Sequence, residues 1–185
     1  VVSLRGGMNL SNVDGDDVVI NPDSRVGLNF GAAVAFPLSD IVGLHLGAIY
    51  SQKGAKLDVE EEDAEATVAL DYIEIPMLLT LTIPSNGPLG SRIYLGPAVA
   101  FEVGCELRGS EGGLDISLDC DETDIDTETF DIGAVGGAGL TWEASESFLL
   151  SLDLFYNLGL TSIAAEEGDA KNRTFSVQAG VGFPL

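Results

Sequence analysis

Residues 130–142 read FDIGAVGGAGLTW and residues 148–160 read FLLSLDLFYNLGL. In the first, Phe130, Ile132, Ala134, Ala138, Leu140 and Trp142 alternate with Asp131, Gly133, Gly137, Gly139 and Thr141. In the second, Phe148, Leu150, Leu152, Leu154, Tyr156 and Leu158 alternate with Ser151, Asp153, Asn157 and Gly159. A period of two belongs to a β-strand, whose successive side chains point to opposite faces. One face is bulky and apolar, the other small or polar. Glycine runs through both stretches, at a cost that a helix interior would not easily bear.

Working outward, the same alternation appears at Arg25–Phe36 and Phe175–Leu185. It recurs less cleanly at 1–10, 42–53, 67–83 and 91–104. Eight strands are therefore expected. Their connections take turns in length. Leu38–Ile41, Pro84–Ser91 and Ala144–Glu146 are short, whereas long loops are expected near 11–24, 54–65, 105–129 and 161–172. Short turns at one end and long loops at the other are the habit of barrels that cross a membrane. The expected fold is all-β, an eight-stranded antiparallel up-and-down transmembrane β-barrel, forming one domain over 1–185.

Composition fits this division. Apolar residues make up 45% of a 185-residue chain whose formal net charge is −22, with 30 Asp+Glu against 8 Lys+Arg. Most of the acids fall in the long connections, leaving the bulky rows nearly free of charge, as hydrocarbon requires. Aromatic residues near strand ends (Phe36, Tyr50, Phe101, Phe130, Trp142, Phe148, Phe175, Phe183) suit the two membrane interfaces. Nucleic acid is excluded as a partner, because phosphates need Lys and Arg. The apolar stretch Ile75–Ile83 is too short for a spanning helix and carries Pro76. A soluble barrel that holds an apolar ligand would need the inverse pattern, apolar inside and polar outside.

Parity along the strands places Arg5, His45, Glu74, Arg92, Glu102, Asp131 and Asp153 on the inward face. The interior of an eight-stranded barrel is just wide enough to be filled by side chains. These residues are therefore expected to form a polar network in the lumen, with Arg5 and Arg92 paired to Glu74, Glu102 or Asp153, because unpaired buried charge is costly. Inward bulk at Tyr72, Leu78, Tyr94 and Phe155 points to a plugged interior. His45 is the sole histidine, and no nucleophile elbow is present, so neither catalysis nor a cofactor is expected. Cys105 and Cys120 are expected to form a disulfide in an oxidising compartment. Asp14, Asp16, Asp17, Asp119, Asp121 and Glu122 offer hard oxygen ligands suited to Ca²⁺. They lack the spacing of a dedicated calcium loop, and no metal site is assigned. With only three lysines, the acid surplus also fits adaptation to high salt.

Five segments resemble the small eight-stranded outer-membrane β-barrel proteins of Gram-negative bacteria, the porin-family barrels. They are Arg5–Ser11 (RGGMNLS), Tyr50–Lys56 (YSQKGAK), Leu70–Pro76 (LDYIEIP), Tyr94–Pro97 (YLGP) and Tyr156–Thr161 (YNLGLT). The C-terminus is similar to the assembly signal of such barrels, with Val181, Phe183 and Leu185 at alternate positions. It departs from that pattern in ending on Leu after Pro184 instead of Phe. The resemblance implies residence in the bacterial outer membrane, contact with its lipid, and no single activity. A monomer is expected. The expected role is structural, or a surface interaction in which acidic loops meet an extracellular protein. A narrow passive pore is the alternative, and a membrane-embedded enzyme stands behind both.

Overall fold

The structure, a computed structural model, describes residues 1–14, 23–59, 64–85, 87–111, 114–120, 128–163 and 170–184. The strands among them are β1 (Val2–Asp14), β2 (Asp23–Pro37), β3 (Val42–Val59), β4 (Ala64–Ile83), β5 (Leu89–Glu111), β6 (Leu114–Asp119), β7 (Phe130–Ser145), β8 (Phe148–Gly159) and β9 (Lys171–Phe183). Every pairing is antiparallel. Pairing of β9 with β1 and of β4 with β5 closes eight strands into a ring, so the barrel wall leaves no strand edge facing lipid. The ninth strand, β6, pairs with the far end of β5 and stands outside the ring.

Sidedness follows the alternation. Leu4, Phe30 and Leu95 are 62%, 58% and 67% exposed, whereas Tyr94 and Asp153 are 1% and 0% exposed. On β4 the outward row Ile73, Ile75, Met77, Leu79, Leu81 and Ile83 is exposed. The eleven positions from Ile73 to Ile83, at a strand's rise and a tilt near 40°, span about 28 Å, close to the apolar band of such barrels. The outward aromatics include two contacting pairs, Phe30 with Tyr50 and Phe101 with Phe130, at centroid distances of 5.0 and 5.4 Å. Among the described residues the bulky apolar rows face outward, the inverse of a soluble ligand-binding barrel.

The inward rows fit by pairing small against large. In the β7–β8 register Gly137 faces Phe155 and Gly139 faces Asp153. A Cβ on Gly139 would lie 1.9 Å from Asp153 Oδ1, and one on Gly137 would lie 2.6 Å from Phe155 Cδ1. These glycines are absences of side chain that admit a partner's bulk. Gly54 is different. It alone among the described glycines has positive φ, at 124°, and a Cβ there would meet Val68 O at 2.0 Å.

The expected loop boundaries need correction. β3 continues to Val59, β4 starts at Ala64, and β5 runs to Glu111 before turning back as β6. Residues 54–59 and 64–65, and most of 105–119, are thus strand rather than loop. The ends of the first and last loops, 11–14, 23–24 and 171–172, are strand as well. The physical reason is that charge is kept out of hydrocarbon but not out of a β-ladder. Beyond the membrane, backbone pairing continues whatever the side chains carry.

Candidate functional site

The interior is the place where the strands bring chemistry-bearing residues together. Near the short turns, β1, β5 and β8 each direct one charged side chain inward. Arg5 Nη1 lies 3.0 Å from Asp153 Oδ2, and Arg92 Nη2 lies 4.0 Å from Asp153 Oδ1. Tyr94 donates its hydroxyl to Asp153 Oδ1 at 2.7 Å. Asp153 is thus the hub on which three inward groups converge. The Tyr94 ring packs against His45 at 5.6 Å and Phe155 at 5.1 Å, and the Arg92 guanidinium lies over it at 5.6 Å.

Above this hub the cross-section is apolar. Leu78, Tyr94, Ala98, Val135 and Phe155 form one buried cluster. Next comes a second polar layer. Lys53 pairs with Glu74 and sits 5.3 Å from the Tyr72 ring centroid. Asn157 donates to Glu74 Oε1 at 3.4 Å. Arg25 donates to the carbonyl of Lys53. Asn9 donates to Ser51 Oγ at 2.9 Å and accepts from Asn29 and Ser176 at 2.6 and 2.8 Å.

Toward the long connections, Asp131 accepts from Thr161 at 2.8 Å and from Asn172 at 3.1 Å. Tyr72 donates to Glu102 at 3.5 Å. Leu70, Tyr72, Ala100 and Ile163 then form a second buried cluster, with Val13, Val68, Cys105 and Ala170 packed against it. Ile163 belongs to the segment after β8 and folds back over the mouth.

Of the residues expected on the inward face, Arg5, His45, Asp131 and Asp153 are buried and Glu74, Arg92 and Glu102 half-buried, and their partners differ from residue to residue. Both Arg5 and Arg92 reach Asp153, Glu74 goes to Lys53, and Glu102 approaches Tyr72. Sequence reasoning missed Lys53 and Arg25, which are 1% and 7% exposed. Parity held the signal, since Lys53 continues the row of His45 and Ser51, and Arg25 that of Asn29. With those two included, four cations (Arg5, Arg25, Lys53, Arg92) face four carboxylates (Glu74, Glu102, Asp131, Asp153) among the described residues.

Cys105 and Cys120 form the expected disulfide, with Cα atoms 5.4 Å apart. It fastens the foot of the β5–β6 hairpin, next to the paired Glu106 and Asp119. Closing a 15-residue loop is worth about 3 kcal/mol in the chain-entropy model. Because β6 stands outside the ring, Cys120→Ser is expected to raise the rate of protease nicking within 114–120 while leaving the heat resistance of the barrel unchanged. A fall in that heat resistance would contradict a purely local role. Of the calcium candidates, Asp16, Asp17, Asp121 and Glu122 lie outside the described residues. Asp14 pairs with Arg173 at 3.0 Å, and Asp119 is exposed in the β5–β6 ladder. Among the described residues no group of three His, Cys, Asp or Glu is placed to hold a metal.

Two solved structures share this architecture. OprG from Pseudomonas aeruginosa superimposes with a TM-score of 0.57 at 13% identity, covering 98% of this chain and 94% of that one. The neisserial surface protein NspA gives 0.52 at 12% identity, with 100% and 97% covered. Such identities carry the fold alone. A comparison with curated protein sequences returns no match. The family model described as "Outer membrane protein beta-barrel domain" matches residues 1–165. With the closed ring, the lipid-facing rows and this match in place, the chain belongs to the outer-membrane β-barrel domain family and resides in the bacterial outer membrane.

Proposed function

We propose that this protein is a surface-interaction barrel: a closed scaffold, fixed in lipid, that presents an acidic rim to the exterior and takes up cationic partners there. The observation that carries the reading is the occluded lumen. Leu78, Tyr94 and Phe155 fill the cross-section, the Arg5–Asp153 pair lies toward the short-turn end, and the cluster around Ile163 covers the other mouth. With the described side chains packed across the lumen, chemistry with the outside falls to the rim. The sequence that joins the strand ends on that side includes Glu60, Glu61, Glu62, Asp63, Asp121, Glu122, Asp124, Asp126, Glu166, Glu167 and Asp169. A charge of one sign at a surface steers an oppositely charged partner, and salt weakens that attraction.

The protein acts as a monomer in this reading and has no catalytic role. Reconstituted in a planar bilayer, it is expected to pass no resolved current steps. Regular ohmic steps would favour the narrow pore instead. Vesicle-embedded protein is expected to bind a polycationic protein with an affinity that falls as salt rises. The triple change Glu60→Gln, Glu61→Gln, Glu62→Gln should weaken that binding. Salt-independent binding, or none, would sink the acidic-rim reading.

A further inference from the structure

The sidedness of the wall reverses where it leaves the membrane. Within the ring the outward rows are apolar and the inward rows hold the polar network. Farther out, β3, β4, β5 and β6 continue as one antiparallel sheet. Residues paired across a ladder share a face, and the face changes at each step along a strand. Leu70, buried in the lumen, pairs with Cys105 and so marks the inner face. Two residues farther from the membrane, that face holds Ala55, Val68, Leu107 and Leu118 in one row. The next row has Leu57, Ala66, Gly109 and Ile116 at its register positions, and Val59 and Ala64 follow. The outer rows between them have Lys56, Thr67, Arg108 and Ser117, then Asp58, Glu65, Ser110 and Asp115. In these rows the inner positions are apolar or glycine, and the outer ones polar or charged.

The foot of this panel is covered, since Val68 and Cys105 pack against the buried cluster that includes Ile163. Beyond it, Leu107 is half-buried and Leu118 is 41% exposed. Lipid cannot cover a surface at that height, and apolar area left in water gains by burial. Three strand spacings make the panel about 14 Å wide, and rows 55 to 59 make it about 13 Å high. Two to three turns of a helix have that footprint. The surroundings choose the charge of the occupant. The sequence that joins β3 to β4 past the panel is Glu60-Glu61-Glu62-Asp63, and β5 ends on Glu111. A wholly apolar partner would gain nothing from these acids, and a plain polycation would leave the leucines in water.

We propose that this panel docks a cationic amphipathic peptide, two or three helical turns long, with its apolar side on the Leu107–Leu118 row and its cations toward the acids. The panel adds an apolar requirement to the acidic-rim reading on which it rests.

The full chain is refolded into phosphatidylcholine vesicles and titrated with two synthetic lysine–leucine peptides of about 14 residues, roughly four turns. One carries its leucines on a single helical face, and the other is a scrambled isomer without such a face. Protein-free vesicles give the background. The amphipathic isomer is expected to bind the protein about tenfold more tightly. Leu107→Asn combined with Leu118→Asn should erase that preference, and Ser117→Ala, in an outer row, should keep it. If the double variant gives no folded band, Leu118→Asn alone should cut the preference about threefold. Equal binding of the isomers, weakened by salt, would overturn the panel and leave the acidic rim standing. Binding of neither isomer would overturn both. A preference that survives the leucine changes, or is lost in Ser117→Ala, would also overturn the panel.

Discussion

Asp153→Ala is expected to destabilise the barrel by about 3–5 kcal/mol, the usual cost of removing one partner from a buried ionic cluster. Three groups depend on this carboxylate. Arg5 holds it at 3.0 Å, Tyr94 donates to it at 2.7 Å, and Arg92 stands at 4.0 Å. Its removal strands two guanidinium groups inside the wall and a phenol above them. The measurement is the urea midpoint of the heat-resistant form on a gel. A second-site change sharpens the test. Arg92→Met in the Asp153→Ala background should recover part of the loss, because it removes one uncompensated charge. Arg92→Met alone should cost about 1 kcal/mol, since its contact is longer and its side chain partly solvated. A cost for Asp153→Ala below that of Arg92→Met would refute the hub.

The second large effect is expected at the seam. Gly7 faces Gln178 across β1 and β9, the pairing that joins the two ends of the chain. A Cβ there would lie 1.9 Å from Val177 O and 2.8 Å from Gln178 Cα. Those are backbone atoms in a paired strand, so a rotamer change cannot relieve the clash. Gly7→Val is expected to cost about 3–5 kcal/mol, above the ordinary range for overpacking because the strand itself must move. The readout is loss of the fast-migrating folded band before heating. Gly136→Val is the control. A Cβ at Gly136 meets nothing within 4 Å, and its row faces lipid. That variant should fold as the parent does. Equal behaviour of the two variants would mean that the seam is not tight.

Much of this architecture is legible in the order of residues, for a definite reason. Lipid on one side and a narrow lumen on the other force every spanning residue to choose a face, so Phe148–Leu158 carries its sidedness in plain alternation. Above the hydrocarbon that constraint lapses. Lys56 and the acids of β5 and β6 read as loop because charge there no longer says anything about backbone pairing. The interior was legible as a set of residues but not as a set of partners. Asp153 on β8 meets Arg5 on β1 and Arg92 on β5 across the lumen, and that meeting depends on the relative shift of strands that do not touch. Lys53 and Arg25 were overlooked because each sits at the end of its clean alternating run, where strand and connection look alike.

The strands differ in height, and this gives the barrel a front and a back. β5 continues for ten residues past Phe101, whereas β8 ends three residues past Tyr156. At the rise and tilt of such strands, the β5 flank stands about 25 Å clear of the lipid and the β8 flank, two strands round the ring, about 8 Å. A body drifting in the plane of the membrane meets a wall from one direction and a low sill from the other. On the proposed surface-interaction reading, a partner leans against an upright panel of strands instead of resting on a level crown, and its orientation about the membrane normal is set before any individual contact is made.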